Sequence, residues 1–198
     1  AQLLQLATLV GGDPAALDRE RELRCEVVRL HLVALERLLE LALDRLGGDH
    51  GRQVGIDAAG RVQRPRRQER AAAQTLATRY GVAVEVLVAD LLDEAQFAAV
   101  ERRVSASSAP IDYLVNNAGF GLAGEFADNA VEEELRQFDV LARVPLRLIH
   151  AALTQMLPRA TGTIVTVSST AGYAGLGSYS AAKAWSLTFS RWANAYYF

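Results

Sequence analysis

The sequence predicts an α/β fold: a doubly wound parallel sheet, present only in part, carried behind an added helical N-terminal segment. Three observations lead there. Short β-branched apolar runs alternate with longer amphipathic stretches along the second two-thirds of the chain, the pattern of strands joined by helical crossovers. Those runs are apolar on consecutive positions, as strands buried on both faces are. Polar residues collect just past their ends, where ligands bind in such sheets.

Residues 1–48 are expected to be helical. Asp13 is a good N-cap and Pro14 a good first helical residue. Leu23, Val27, Leu30, Leu35, Leu38, Leu39, Leu43 and Leu46 keep a helical apolar stripe, which Gly47 and Gly48 stop. That stripe needs a surface to cover, either its own domain or a second copy in a homo-oligomer. Residues 49–65 show neither period and read as a linker or irregular segment.

From residue 66 to 198 the elements follow one another. Arg67 to Tyr80 reads as a helix closed by Gly81. VAVEVLV (82–88) is a buried strand, with Asp90 just beyond it. A helix at about 93–104, a strand at 111–115 and a loop at 116–129 come next. One long helix then spans about 130–157, with Pro145 kinking it. GTIVTV (162–167) is a strand, and a last helix starts near Ser178.

Composition narrows the function classes. Hydrophobic residues make up 51% and charged residues 22%, so one soluble globular domain is expected. A net charge of −2 gives no reason to expect nucleic acid or an anionic membrane as partner. No apolar run reaches the ~18 residues of a membrane span, and AQLLQLATLV lacks the basic start of a signal peptide. Cys25 is the single cysteine, which excludes an internal disulfide and a cysteine zinc site and points to a reducing cytoplasm.

Lys183 is the one lysine among 21 basic residues, a sign of a position that arginine cannot fill. It follows Tyr179 at i+4, so both side chains share one face of a helix. A phenol is a poor base at neutral pH; an adjacent ammonium favours the phenolate and lets it exchange a proton with a substrate oxygen. The alternative is an ordinary amphipathic helix. Ser168 and Ser169 end the preceding strand, where a hydroxyl could bond a developing alkoxide. Asn116 and Asn117, between a buried strand and Gly119, either line a cofactor cleft or form an Asx turn. Asp90 either meets an adenine amino group or caps the next helix. Gly119 to Gly124 spells G-x-G-x-x-G, but no acidic residue ends a second strand about twenty positions on, so it is not read as a dinucleotide fingerprint.

VADL, NNAG, IVTVSS and YSAAK, in that order, resemble the short-chain dehydrogenase/reductases over about residues 66–190. The resemblance implies a Rossmann-type fold and hydride transfer between NAD or NADP and a small-molecule carbonyl or secondary alcohol. It implies Tyr179 as catalytic acid/base, Lys183 as the group that tunes Tyr179 and holds the nicotinamide ribose, and Ser169 as the serine that orients the substrate carbonyl. Asp90 and Leu91 match the adenine contacts, while Asn117, Ala118 and Gly119 match the cofactor cleft. Arg66 or Arg67 would meet the 2′-phosphate, favouring NADP.

The chain departs from that pattern in four places. Residues 1–65 hold no Gly-x-x-x-Gly-x-Gly phosphate loop. The asparagine expected in the long helix falls at Leu141. Ser169 to Tyr179 spans ten positions, shorter than the family's usual spacing. The chain also ends at Phe198, before the family's last strands and substrate lid. Two alternatives to an active enzyme follow: an inactive relative serving as a binding or dimerisation module through the 14–46 helix, or a truncated or frame-shifted product.

Overall fold

The computed structural model describes residues 5–11, 53–55, 74–75, 77–79 and 83–197. Five strands are present among them: β1 (Gln5–Gly11), β2 (Gln53–Gly55), β3 (Ala83–Glu85), β4 (Tyr113–Asn116) and β5 (Thr163–Ser169). The helices are α1 (Glu94–Ser105), α2 (Val131–Phe138), α3 (Val144–Arg159) and α4 (Gly177–Tyr197). β1, β5 and β4 form one sheet in that order, and β2 with β3 a second. Every pairing is parallel, as expected of crossover-linked strands. The described residues therefore show the expected α/β, Rossmann-like architecture.

Two expectations are overturned at the N-terminal side. Residues 1–48 are not all helical, because Gln5–Gly11 is a strand in register with Thr163–Ser169. QLATLV is too short an apolar run for periodicity to separate strand from helix, and the free edge of β5 decides between them. Residues 49–65 are not wholly irregular either, since Gln53–Gly55 pairs with Ala83–Glu85. The leucine-rich 14–46 helix, Arg66 and Arg67 lie outside the described residues. Of the predicted 67–80 helix, residues 74–75 and 77–79 are described and helical.

β5 is the central strand, with Ile164, Val165 and Thr166 buried in succession. β3 is shorter than the predicted 82–88 strand and less buried: Val88 is 56% exposed and pairing stops at Glu85. The core lies between β4, β5, α1 and α3, around Phe97, Leu114, Leu148, Ile149, Met156 and Ile164. Asp93 caps α1, its carboxylate accepting from Gln96 N at 3.0 Å, a cap worth about 1 kcal/mol. Arg147 on α3 bonds Glu94 and Glu101 of α1 and lies over the Phe97 ring, which ties the two helices together.

The long 130–157 helix is divided by a π-helical turn, Asp139–Arg143. The cause is Pro145, whose missing N–H and bulky ring break the ladder toward Leu141. One extra residue is accommodated there, with Val144 N bonding back to Asp139 O. The insertion buries Val140, Leu141 and Ala142, and this placement of Leu141 bears on the site.

Candidate active site

β4 and β5 end side by side, and the residues just beyond them meet the start of α4. Ser169 closes β5 and caps the 3₁₀ turn Thr170–Tyr173, its Oγ accepting from Ala171 N at 3.2 Å. Tyr179 stands in the first turn of α4, half-buried, close enough to Ser169 for that side chain to act on its phenol. Lys183, one turn on, is 6% exposed and its Nζ lies 5.7 Å from the Tyr179 ring centre. Nζ donates to the Val167 carbonyl at 2.8 Å. The three residues singled out by sequence are thus gathered at one point.

The short Ser169–Tyr179 interval does not prevent this. The 3₁₀ turn lies directly on α4: a Cβ on Gly172 would stand 3.0 Å from Lys183 C and 3.1 Å from Ala184 N. Only glycine allows the turn to approach that closely.

Sequence reasoning missed Ser186, and it gave Ser168 an alkoxide role where the structure has both hydroxyls holding the Lys183 backbone. Ser168 Oγ donates to the Lys183 carbonyl at 2.9 Å, and Ser186 Oγ donates to the same carbonyl at 2.7 Å. The two hydroxyls are 3.0 Å apart and both are buried, so they stitch β5 to α4 beside the lysine. Ser186 is three positions after Lys183, a spacing that signals back-bonding to a helix carbonyl and could have been read as such.

Electrostatics modify the expected tuning. Burial pushes the Tyr179 phenol up, and the Ser169 hydrogen bond pulls against it without reversing the direction. Burial also lowers the Lys183 ammonium to about 8. The upward direction at Tyr179 differs from the lowering expected from an adjacent ammonium: its causes are burial and Ser169, and the Lys183 charge is not among them. At neutral pH the pair is a phenol beside an ammonium, a state suited to giving a proton.

The cofactor-cleft residues divide. Gly119 faces the lysine: a Cβ there would lie 3.9 Å from Lys183 Nζ and 2.8 Å from Leu141 Cδ2. Asn117 and Ala118 are half-buried between β4 and that glycine. Asn116 Nδ2 is buried without a partner among the described residues. Lys183 keeps two ammonium protons beyond the Val167 bond, which fits a ribose hydroxyl next to Gly119. Asp90 is exposed past β3 and folds into a turn, its Oδ1 accepting from Leu92 N at 2.9 Å. Leu91, by contrast, is 1% exposed and its side chain belongs to the core, leaving only its backbone for any adenine. Gly121 and Gly124 lie in the loop before α2, whose helix starts only at Val131, so the G-x-G-x-x-G string opens no helix. Residues around the site fit the nicotinamide-ribose end of a dinucleotide; the described residues carry no glycine-rich turn for its pyrophosphate.

Among the described residues no helix is long and apolar enough to cross a membrane, and no group of three His, Cys, Asp or Glu could hold a metal ion.

The sequence model of the family described as short chain dehydrogenase matches residues 53–195. Nodulation protein G of Rhizobium meliloti is 33% identical over 121 residues, 60% of this chain and 49% of that protein. The ketoacyl reductase HetN of Nostoc is 33% identical over 98 residues, 48% of this chain and 34% of that protein. The chain therefore spans a third to a half of these curated relatives. Among solved structures, a short-chain dehydrogenase from Sphingobium yanoikuyae in complex with NADPH aligns at a TM-score of 0.67 with 32% identity, over 74% of this chain and 57% of that one. A bulky-bulky ketone specific alcohol dehydrogenase from Comamonas testosteroni aligns at 0.66 with 28% identity, over 73% and 57%. With a match running from residue 53 to 195, the chain belongs to the short-chain dehydrogenase family.

Proposed function

We propose that the chain carries the acid–base half of a nicotinamide-dependent oxidoreductase acting on a small carbonyl or secondary alcohol. The observation that carries this reading is the gathering of Tyr179, Ser169 and Lys183 at one point, with the Lys183 Nζ 5.7 Å from the centre of the Tyr179 ring. A bound nicotinamide would supply or accept the hydride. In the reducing direction Tyr179 gives its proton to the carbonyl oxygen as negative charge develops there. Ser169 holds that oxygen, and the Lys183 charge stabilises the phenolate left behind. Lys183 also has the free protons to hold the ribose beside Gly119. NADP is favoured over NAD by Arg66 and Arg67, and by the NADPH held in a similar solved structure.

The test is turnover of a panel of aldehydes and ketones with NADPH by the full chain. Turnover abolished by Tyr179→Phe is the expected outcome. Activity that survives the substitution overturns the mechanism.

A second reading, an inactive relative that binds rather than turns over, is favoured by one observation: Leu141 lies beside Gly119, its Cδ2 2.8 Å from where a Cβ on that glycine would sit. Measurable NADPH binding without turnover of any substrate in the panel would select it.

A further inference from the structure

A second buried polar group stands beside the acid–base pair. Glu134 on α2 is 8% exposed, and Gln137, one turn on, is 2% exposed. Glu134 Oε1 accepts from Asn129 Nδ2 at 2.8 Å. Its Oε2 accepts a hydrogen bond from Ser178 Oγ, which also lies 3.3 Å from Gln137 Oε1. Ser178 immediately precedes Tyr179.

Packing does not account for a carboxylate here. Taking an ionised group out of water is costly, and an apolar side chain would join α2 to α4 without that cost. What a carboxylate adds is a directional, charge-assisted bond. It makes that bond to the first turn of α4, whose leading N–H groups have no partner inside the helix and whose positive end favours an anion. The first turn is also the part of a helix most prone to fray, and it is the turn that carries Tyr179.

We propose that Glu134 is a positioning residue: by gripping Ser178 it fixes the first turn of α4 on α2 and so keeps the Tyr179 phenol against Ser169. The consequence for turnover rests on the oxidoreductase reading; the positioning itself does not.

Nitration of the whole 198-residue chain with tetranitromethane, followed by peptide mapping, reads the position of Tyr179 without any turnover. Tyr113, half-buried on β4 and away from Ser178, is the internal control. Ser178→Ala and Glu134→Gln are expected to speed nitration of Tyr179 and leave Tyr113 unchanged, while Ser178→Thr, which keeps the hydroxyl, restores the slow rate. With NADPH and a reducible substrate, the same two variants should lose on the order of tenfold in kcat with KM for NADPH unchanged. Equal acceleration of Tyr113 and Tyr179 would mean general loosening and would overturn the proposal. So would an unchanged Tyr179 rate in both variants. Should Ser178→Ala not fold, Glu134→Gln against Ser178→Thr decides. A wild-type chain without turnover would refute the oxidoreductase reading while leaving the nitration comparison intact.

Discussion

Lys183→Met is expected to stabilise the protein while abolishing turnover. The Lys183 ammonium falls from an ordinary 10.5 to about 8 because folding removes it from water. At about 1.4 kcal/mol per pH unit, that difference is a penalty of about 3 kcal/mol on the folded state. The sign follows from where the proton sits. Below pH 8 both folded and unfolded chains hold it, and the whole penalty is present. Between pH 8 and 10.5 the folded chain has released it while the unfolded chain has not, so stability recovers as pH rises. Methionine has similar length and no charge, but it leaves the Val167 carbonyl without the donor now at 2.8 Å, a loss of about 1 kcal/mol. The net gain at neutral pH is therefore about 2 kcal/mol. Urea unfolding of both chains at a series of pH values measures it, and the difference between them removes every group they share. The gap should close, and then reverse, between pH 8 and 10.5. A gap that stays constant across that window, or a variant less stable at neutral pH, would refute the assignment of Lys183 as a buried, desolvated charge.

Gly172→Ala should cost about 1–3 kcal/mol, since the new Cβ meets helix backbone at 3.0 Å and 3.1 Å; the urea midpoint should fall with its slope unchanged. Leu141→Asn exchanges a 3% exposed side chain for a smaller polar one beside Gly119, so the melting temperature should drop while kcat with NADPH rises. If kcat stays flat, Leu141 is not what limits turnover at the site. Arg147→Ala removes the link between α1 and α3 and exposes the Phe97 ring, a loss of about 1–2 kcal/mol seen as a lower denaturant midpoint.

Helices and strands with strong local signals were legible from sequence. The helix expected at about 93–104 is α1, though its cap is Asp93 and not Asp90, and the apolar runs mark β4 and β5 within a residue or two. The Tyr179–Lys183 pair was legible because i and i+4 on a helix adjoin whatever surrounds them. β1 was not, because its identity rests on a partner strand more than a hundred and fifty positions away. Nor was the π turn, which Pro145 makes necessary but whose form depends on how α2 and α3 both pack on the sheet.

Sequence alone determined the chemical inventory: a tyrosine, a lysine and a serine at strand-end spacings, within an alternating α/β pattern. Tertiary structure decided how those groups are held and charged. Burial, not proximity of charge, sets the direction at Tyr179 and Lys183. Glu134 reaches Ser178, and Gly172 reaches the backbone of α4, across chain separations that no local pattern encodes. Desolvation and close approach are properties of a packed interior, and they exist only once distant segments have met.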